Sequence, residues 1–154
     1  MTFAEWLNVA RPLFPALNQT NSRPTSPADD AYNCIAWAAE DPERWWWPDP
    51  QEQEYWPPTV PRAETVEAFE IAFKYLGYSE RTDASVESGK QKIALFVSEK
   101  GKPTHAARQL PDGWWASKLG QQIDIEHELS AIQGPKYGTV AVVLGRVAAP
   151  PTKS

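Results

Sequence analysis

A chain of 154 residues with a net charge of −5, one cysteine and eight tryptophans bounds the answer before any motif is read. The acidic balance argues against a nucleic-acid binder, which presents a basic face, and no run approaches the ~20 apolar residues of a membrane span. A lone cysteine behind an N-terminus without a basic flank predicts a cytoplasmic protein that uses no internal disulfide, signal peptide or anchor.

The length predicts one domain over 1–147, able to bury roughly 70% of its unfolded surface, and a loose tail over 148–154. In chain order, "FAEWLNVA" reads as a short helix stopped by Pro12, and the polar stretch 18–30 reads as a loop. A helix follows over about 31–40, "AYNCIAWAAE", capped by Asp29 or Asp30 or by Asn33, and ending before Pro42. The segment 41–63 is too rich in proline for regular structure and too aromatic for a free linker, so an ordered covering loop is expected. The strongest periodicity lies in "AETVEAFEIAFKYLG", 63–77, where Val66, Phe69, Phe73 and Leu76 share one helical face and Gly77 supplies the stop. Residues 79–91 read as a surface loop. Strands are then expected over 92–98, 104–110 and 114–118, a short helix over 126–133, and an internal strand over 137–147. The order predicts an α+β domain with helices on one face of a four-stranded, mainly antiparallel sheet.

Cys34 and His105 raise the question of chemistry. A thiol of ordinary pKa, about 8.5, is only a few per cent thiolate at neutral pH. A helix N-terminus and an adjacent imidazole both raise that fraction. With Asn33 as cap, Cys34 opens its helix; with Asp30 as cap it lies a turn inside, where the effect is weaker. The competing expectation is a small core cysteine beside Ile35, Ala36 and Trp37, and a histidine that is merely hydrogen-bonded within a strand.

"YNCIAWA" and "KIALFV…THAARQLPDGWWASKLG" resemble the nucleophile helix and the strand–histidine–turn–strand block of papain-like NlpC/P60 cysteine hydrolases. The resemblance covers about 31–41 and 92–120. It implies a papain-like fold with Cys34 as nucleophile, His105 as general base and Ser117 in the third position, where the family carries His, Asp, Asn or Gln. Register decides whether Ser117 can serve. A three-residue "PDG" loop puts Ser117 on the face of His105, whereas a two-residue "DG" turn puts Lys118 there. Asp124 and His127 are substitutes if the 119–127 segment folds back. "NCxAWA", "WWP", "YWPP", "THAARQLPDG" and "SKLG…IEH" are similar to a small, mostly bacterial family with no assigned activity. Ser117, Lys118 and His127 also resemble a Ser-Lys-x-Gly element and later histidine of papain-like toxin modules.

Asn33 and the Cys34 N–H are expected to hold an oxyanion, with Lys118 and His127 in support. Trp45, Trp46, Trp47, Tyr55, Trp56 and Trp115 form either an aromatic wall for a peptide-like substrate or protein partner, or a covering layer. Separated single ligands predict no metal site, and the isolated glycines no phosphate loop or other cofactor cradle. Two functions follow: a cysteine hydrolase or transferase acting on an amide or ester, or a non-catalytic interaction domain using residues 45–58. The sequence leaves the oligomeric state open.

Overall fold

The computed structural model describes residues 2–26, 31–119 and 123–148. Seven strands form one sheet in which every neighbouring pair is antiparallel: β1 (Ser22–Ser26), β2 (Glu80–Thr82), β3 (Lys90–Val97), β4 (Pro103–Gln109), β5 (Trp115–Lys118), β6 (Asp124–His127) and β7 (Thr139–Val147), ordered β1-β6-β5-β4-β3-β7-β2. Three short helices, α1 (Phe3–Ala10), α2 (Cys34–Ala38) and α3 (Val66–Lys74), and a 3-10 turn at Leu129–Ile132 complete the described structure.

The expected four-stranded, papain-like sheet with helices on one face is therefore corrected. Strands β1, β2 and β6 lie where loops or a helix were expected, and both faces of the sheet are covered. On one face, α2 and α3 pack with Ile93, Leu95, Ala106, Val142 and Leu144. On the other, α1 packs through Trp6, Leu7 and Ala10 with Ala94, Phe96, Ala107, Trp115 and Ile125. Alternation along β3 explains this: Ile93 and Leu95 point one way, Ala94 and Phe96 the other, and all four are fully buried.

Each helix begins at a residue that can accept from its exposed N–H groups. Thr2, Asn33 and Thr65 accept from the backbone N–H of Glu5, Ala36 and Ala68 respectively. Asn33 is thus the cap of α2, and Cys34 is its first helical residue. The β4–β5 connection is the three-residue loop: Leu110 N–H donates to the Trp114 carbonyl at 2.7 Å, and Arg108 pairs with Ala116. That register puts Ser117 on the face of His105.

The aromatic segment 41–63 is the ordered covering layer. Trp47 and Trp56 pack against Phe69 of α3 with ring centroids 5.4 and 4.9 Å away, and Trp56 Nε1 donates to the Pro61 carbonyl. Among the described residues, no helix is long and apolar enough to cross a membrane. The expected tail beyond Ala148 lies outside the described residues, as do Asp29 and Asp30.

Candidate active site

Strand β4 carries His105 into the α1 face of the sheet, where the imidazole is fully buried against Phe96 and Tyr137. Ser117 Oγ lies 2.9 Å from His105 Nε2 and 2.7 Å from His127 Nε2, and His127 Nδ1 lies 2.7 Å from the Glu128 carbonyl oxygen. The carbonyl can only accept, so His127 Nδ1 carries a proton. In its neutral form, His127 then accepts at Nε2 from the Ser117 hydroxyl, and Ser117 in turn accepts from His105 Nε2–H. One direction of donation therefore runs from His105 through Ser117 and His127 to Glu128. It leaves His105 Nδ1 a bare lone pair, with no hydrogen-bond partner among the described residues.

The neutral forms follow from the surroundings. Burial, and then the neighbouring His127, hold His105 well below the usual histidine pKa. Burial brings His127 down to about 4, partly opposed by its bond to the Glu128 carbonyl.

Cys34 reaches the same strand from the other side. The residue is partly exposed and packs with the α2–α3 cluster. Its Sγ lies 4.0 Å from the Thr104 carbonyl oxygen and meets the Ala106 N–H, so it touches the backbone on both sides of His105. Pairing of β4 with β5 is limited to Arg108–Ala116 and Gln109–Trp115, short of this stretch. The Tyr137 ring stacks on His105 with centroids 4.1 Å apart, and its hydroxyl is raised first by burial and then by the charge of Cys34. No hydrogen bond joins Sγ to His105 in this resting arrangement, since Nε2 is taken by Ser117 and Nδ1 is bare. Burial pushes the thiol up to about 11, against the opposing effects of the Ala106, Ile35 and Cys34 N–H groups and the Lys118 charge. Both groups are thus held neutral, the thiol raised in place of the depressed thiol expected at a helix start.

The remaining predicted residues divide. Asn33 is held by three bonds, its Oδ1 accepting from Ala36 and Trp46 N–H at 3.0 Å each and one Nδ2–H donating to the Trp46 carbonyl at 2.7 Å. It clamps the covering loop to α2, which leaves one Nδ2–H for an oxyanion. Lys118 lies on the opposite face from Ser117, towards α2, with Nζ 5.0 Å from the Tyr32 ring centroid and 3.9 Å from Asp124 Oδ1. Asp124 thus accompanies Lys118, away from the histidines. Trp46, Trp56 and Trp115 are buried, Trp47 and Tyr55 partly so, and Trp45 is 37% exposed. Those rings are mostly core, with Trp115 in the α1 cluster. Tyr32 and Tyr137 escaped sequence reasoning. Tyr137 had a usable signal, since it sits between two glycines in "GPKYG".

Two open surface grooves, of about 570 and 610 Å³, are lined by residues such as Lys90 and Leu110, and Lys136 and Thr139; neither includes a candidate site residue. Among the described residues, no group of three His, Cys, Asp or Glu side chains is arranged to hold a metal ion.

A family model described as a domain of unknown function, DUF7689, matches residues 23–145, and the chain belongs to that family. No curated protein and no solved structure matches it.

Proposed function

We propose that this member of the DUF7689 family is a thiol enzyme acting on an amide or ester by acyl transfer or hydrolysis, with Cys34 as nucleophile and His105 as general base. The observation that carries the reading is the His105–Ser117–His127–Glu128 chain. It fixes one tautomer and leaves His105 Nδ1 unprotonated, on the residue flanked by the two backbone groups that meet the sulfur.

In this reading, Nδ1 takes the thiol proton as Sγ attacks the substrate carbonyl carbon. The leaving amine or alcohol departs with that proton, and Cys34 holds the acyl group as a thioester. Water or an acceptor alcohol or amine, deprotonated by the same nitrogen, then cleaves the thioester and restores the thiol. The N–H groups of Cys34, Ile35 and Ala106 favour the negative charge that develops on sulfur. Ser117 and His127 are positioning residues: they orient the ring and hold its tautomer, as the orienting partner of a catalytic histidine does. The imidazole lies on the α1 face and the thiol meets β4 from the α2 side. Transfer therefore requires the stretch of β4 around His105, which is not paired with β5, to shift and bring the two together.

The alternative, an interaction domain using residues 45–58, has less support, because Trp46 and Trp56 are buried in the core.

Treatment with p-nitrophenyl acetate, read by intact-protein mass and peptide mapping, tests the proposal. Acetylation of Cys34 at neutral pH, lost in Cys34→Ala and strongly slowed in His105→Gln, is the expected result. Absence of Cys34 acetylation, or an equal rate in folded His105→Gln, overturns it.

A further inference from the structure

Among the described residues two lysines are fully buried, and the fold treats them differently. Lys92 Nζ donates to the Asp83 and Ser85 carbonyls at 2.8 and 2.7 Å and pairs with Glu87 at 2.9 Å. Lys118 Nζ, equally enclosed, makes no hydrogen bond among the described residues; its ion partner Asp124 Oδ1 stands off at 3.9 Å and the Tyr32 ring centroid lies 5.0 Å away. An ammonium group carries three donors and is costly to bury without acceptors. Arg108, on the same face, is already committed to the Trp37 carbonyl, the Trp37 ring and Glu40. Lys118 is the fully buried cation on this face whose ammonium makes no hydrogen bond among the described residues, and Tyr32 beneath it lies two residues before Cys34.

We infer that Lys118 is the recognition cation of the Cys34 site, taking a carboxylate that the substrate carries beside the carbonyl under attack. The inference rests on the Cys34 chemistry proposed above and adds the class of substrate: an acyl compound with a free carboxylate near the scissile bond, such as a peptide end or an acidic side chain. A carboxylate fits better than a phosphate. Asp124 already offsets one positive charge and would repel a dianion, whereas a single carboxylate supplies the missing acceptors. The position also suits the site electrostatically, since the Lys118 charge favours the Cys34 thiolate. Tyr32, stacked on Trp37 at 5.8 Å between centroids, supplies an apolar wall for the intervening carbons.

The test compares alkylation of Cys34 by iodoacetate and by iodoacetamide, agents that differ in whether they carry a carboxylate. It requires no turnover, so it separates from the acetylation experiment: catalysis can fail there while anion selection holds here. The ratio of the two rates cancels the thiolate fraction, and glutathione at the same pH and ionic strength supplies the intrinsic ratio. The wild-type protein is expected to favour iodoacetate over that reference by on the order of tenfold, as one charge-assisted hydrogen bond to a buried ammonium warrants. Lys118→Met, which keeps the length of the stem, is expected to abolish the preference, and Lys118→Arg to restore part of it. An iodoacetate ratio no higher than that of glutathione, a preference that survives in Lys118→Met, or failure of both reagents to label the folded protein overturns the inference. Should Lys118→Met not fold, acetate competition in the wild type decides. Acetate, but not chloride, is expected to slow iodoacetamide labelling, and equal effects of the two salts overturn the inference.

Discussion

The imidazole of His105 lies flat on the ring of Tyr137, centroids 4.1 Å apart and planes within 14°. Tyr137 is held there by its loop: the Gly134 and Gly138 backbones exchange hydrogen bonds at 3.0 and 2.8 Å on either side of it. Gly138 has φ +79°, and a Cβ there would lie 1.9 Å from the Val97 carbonyl oxygen, so no other residue fits without displacing β3. Tyr137→Ala removes a buried ring from this stack and is expected to cost about 3–5 kcal/mol in urea unfolding. Tyr137→Phe keeps the stack and most of the stability. A Tyr137→Ala protein as stable as wild type would show that the stack does not hold the site together.

Acid should destabilise the protein through its histidines, and the sign is fixed by their environment. The pKa of His127 is lowered from 6.5 to about 4, and that of His105 well below its ordinary value, both chiefly by burial. The unfolded chain therefore binds more protons than the folded one below about pH 6.5, and stability is lost as the pH falls through that range. Between pH 7 and pH 5, His127 alone accounts for about 2 kcal/mol. Urea unfolding at the two pH values measures the loss, and in His127→Gln the difference should shrink by about that amount. A pH dependence unchanged in the variant would mean that His127 stays ordinary in the fold.

Asn33 joins three backbone groups by one side chain: two N–H groups, one of α2 and one of Trp46, and the Trp46 carbonyl. Asn33→Ala loses the cap, worth ~1 kcal/mol, and strands buried groups of Trp46 at ~1–3 kcal/mol each. A total of about 3–7 kcal/mol is expected by urea unfolding. Asn33→Asp keeps both acceptor bonds but loses the donor to Trp46 and brings a negative charge next to Cys34, which should push the thiol further up. Thermal melts and alkylation rates of the two variants separate these effects. A fully stable Asn33→Ala would contradict the clamp.

How much of this could be read from residues alone depended on whether a segment carries its own signal. The 3.6-residue spacing of Phe69 and Phe73 marks α3, and the apolar runs mark β3 and β7. The "PDG" loop and the cap of α2 each left two alternatives, and each alternative had a distinct consequence for Ser117 or Cys34. The three missed strands were hidden for physical reasons. β1, "SRPTS", and β2, "ERT", are polar strands at the two edges of the sheet, where no apolar alternation is demanded. β6, "DIEH", is short, and its inward face holds only Ile125 and His127. The covering of both sheet faces was hidden with them, because α1 is too short to announce its position. The site was partly legible: Ser117 joins His105 through register, whereas the partnership of Ser117 with His127 depends on β6, and the place of Lys118 on the α2 face depends on the same alternation.

The last prediction concerns the thiol itself. The Cys34 pKa is raised to about 11, burial outweighing three N–H groups and the Lys118 charge. Thiolate absorbance in the ultraviolet is therefore expected to titrate near 11 in the folded protein and near the usual value of about 8.5 in urea. The folded state resists losing this proton, so the contribution to stability is present below the unfolded pKa and disappears as the pH rises towards 11. Lys118→Met removes the favourable charge and should move the native midpoint higher still, whereas Ser117→Ala, on the other face of the sheet, should leave it nearly unchanged. Iodoacetamide labelling of the resting protein at neutral pH should accordingly be slow, yet faster than that of a fully enclosed cysteine because Cys34 is partly exposed. A native midpoint below pH 8 would replace the neutral pair with a standing thiolate–imidazolium ion pair. It would require His105 to sit closer to the sulfur, and with its proton on Nδ1, than the resting geometry has it.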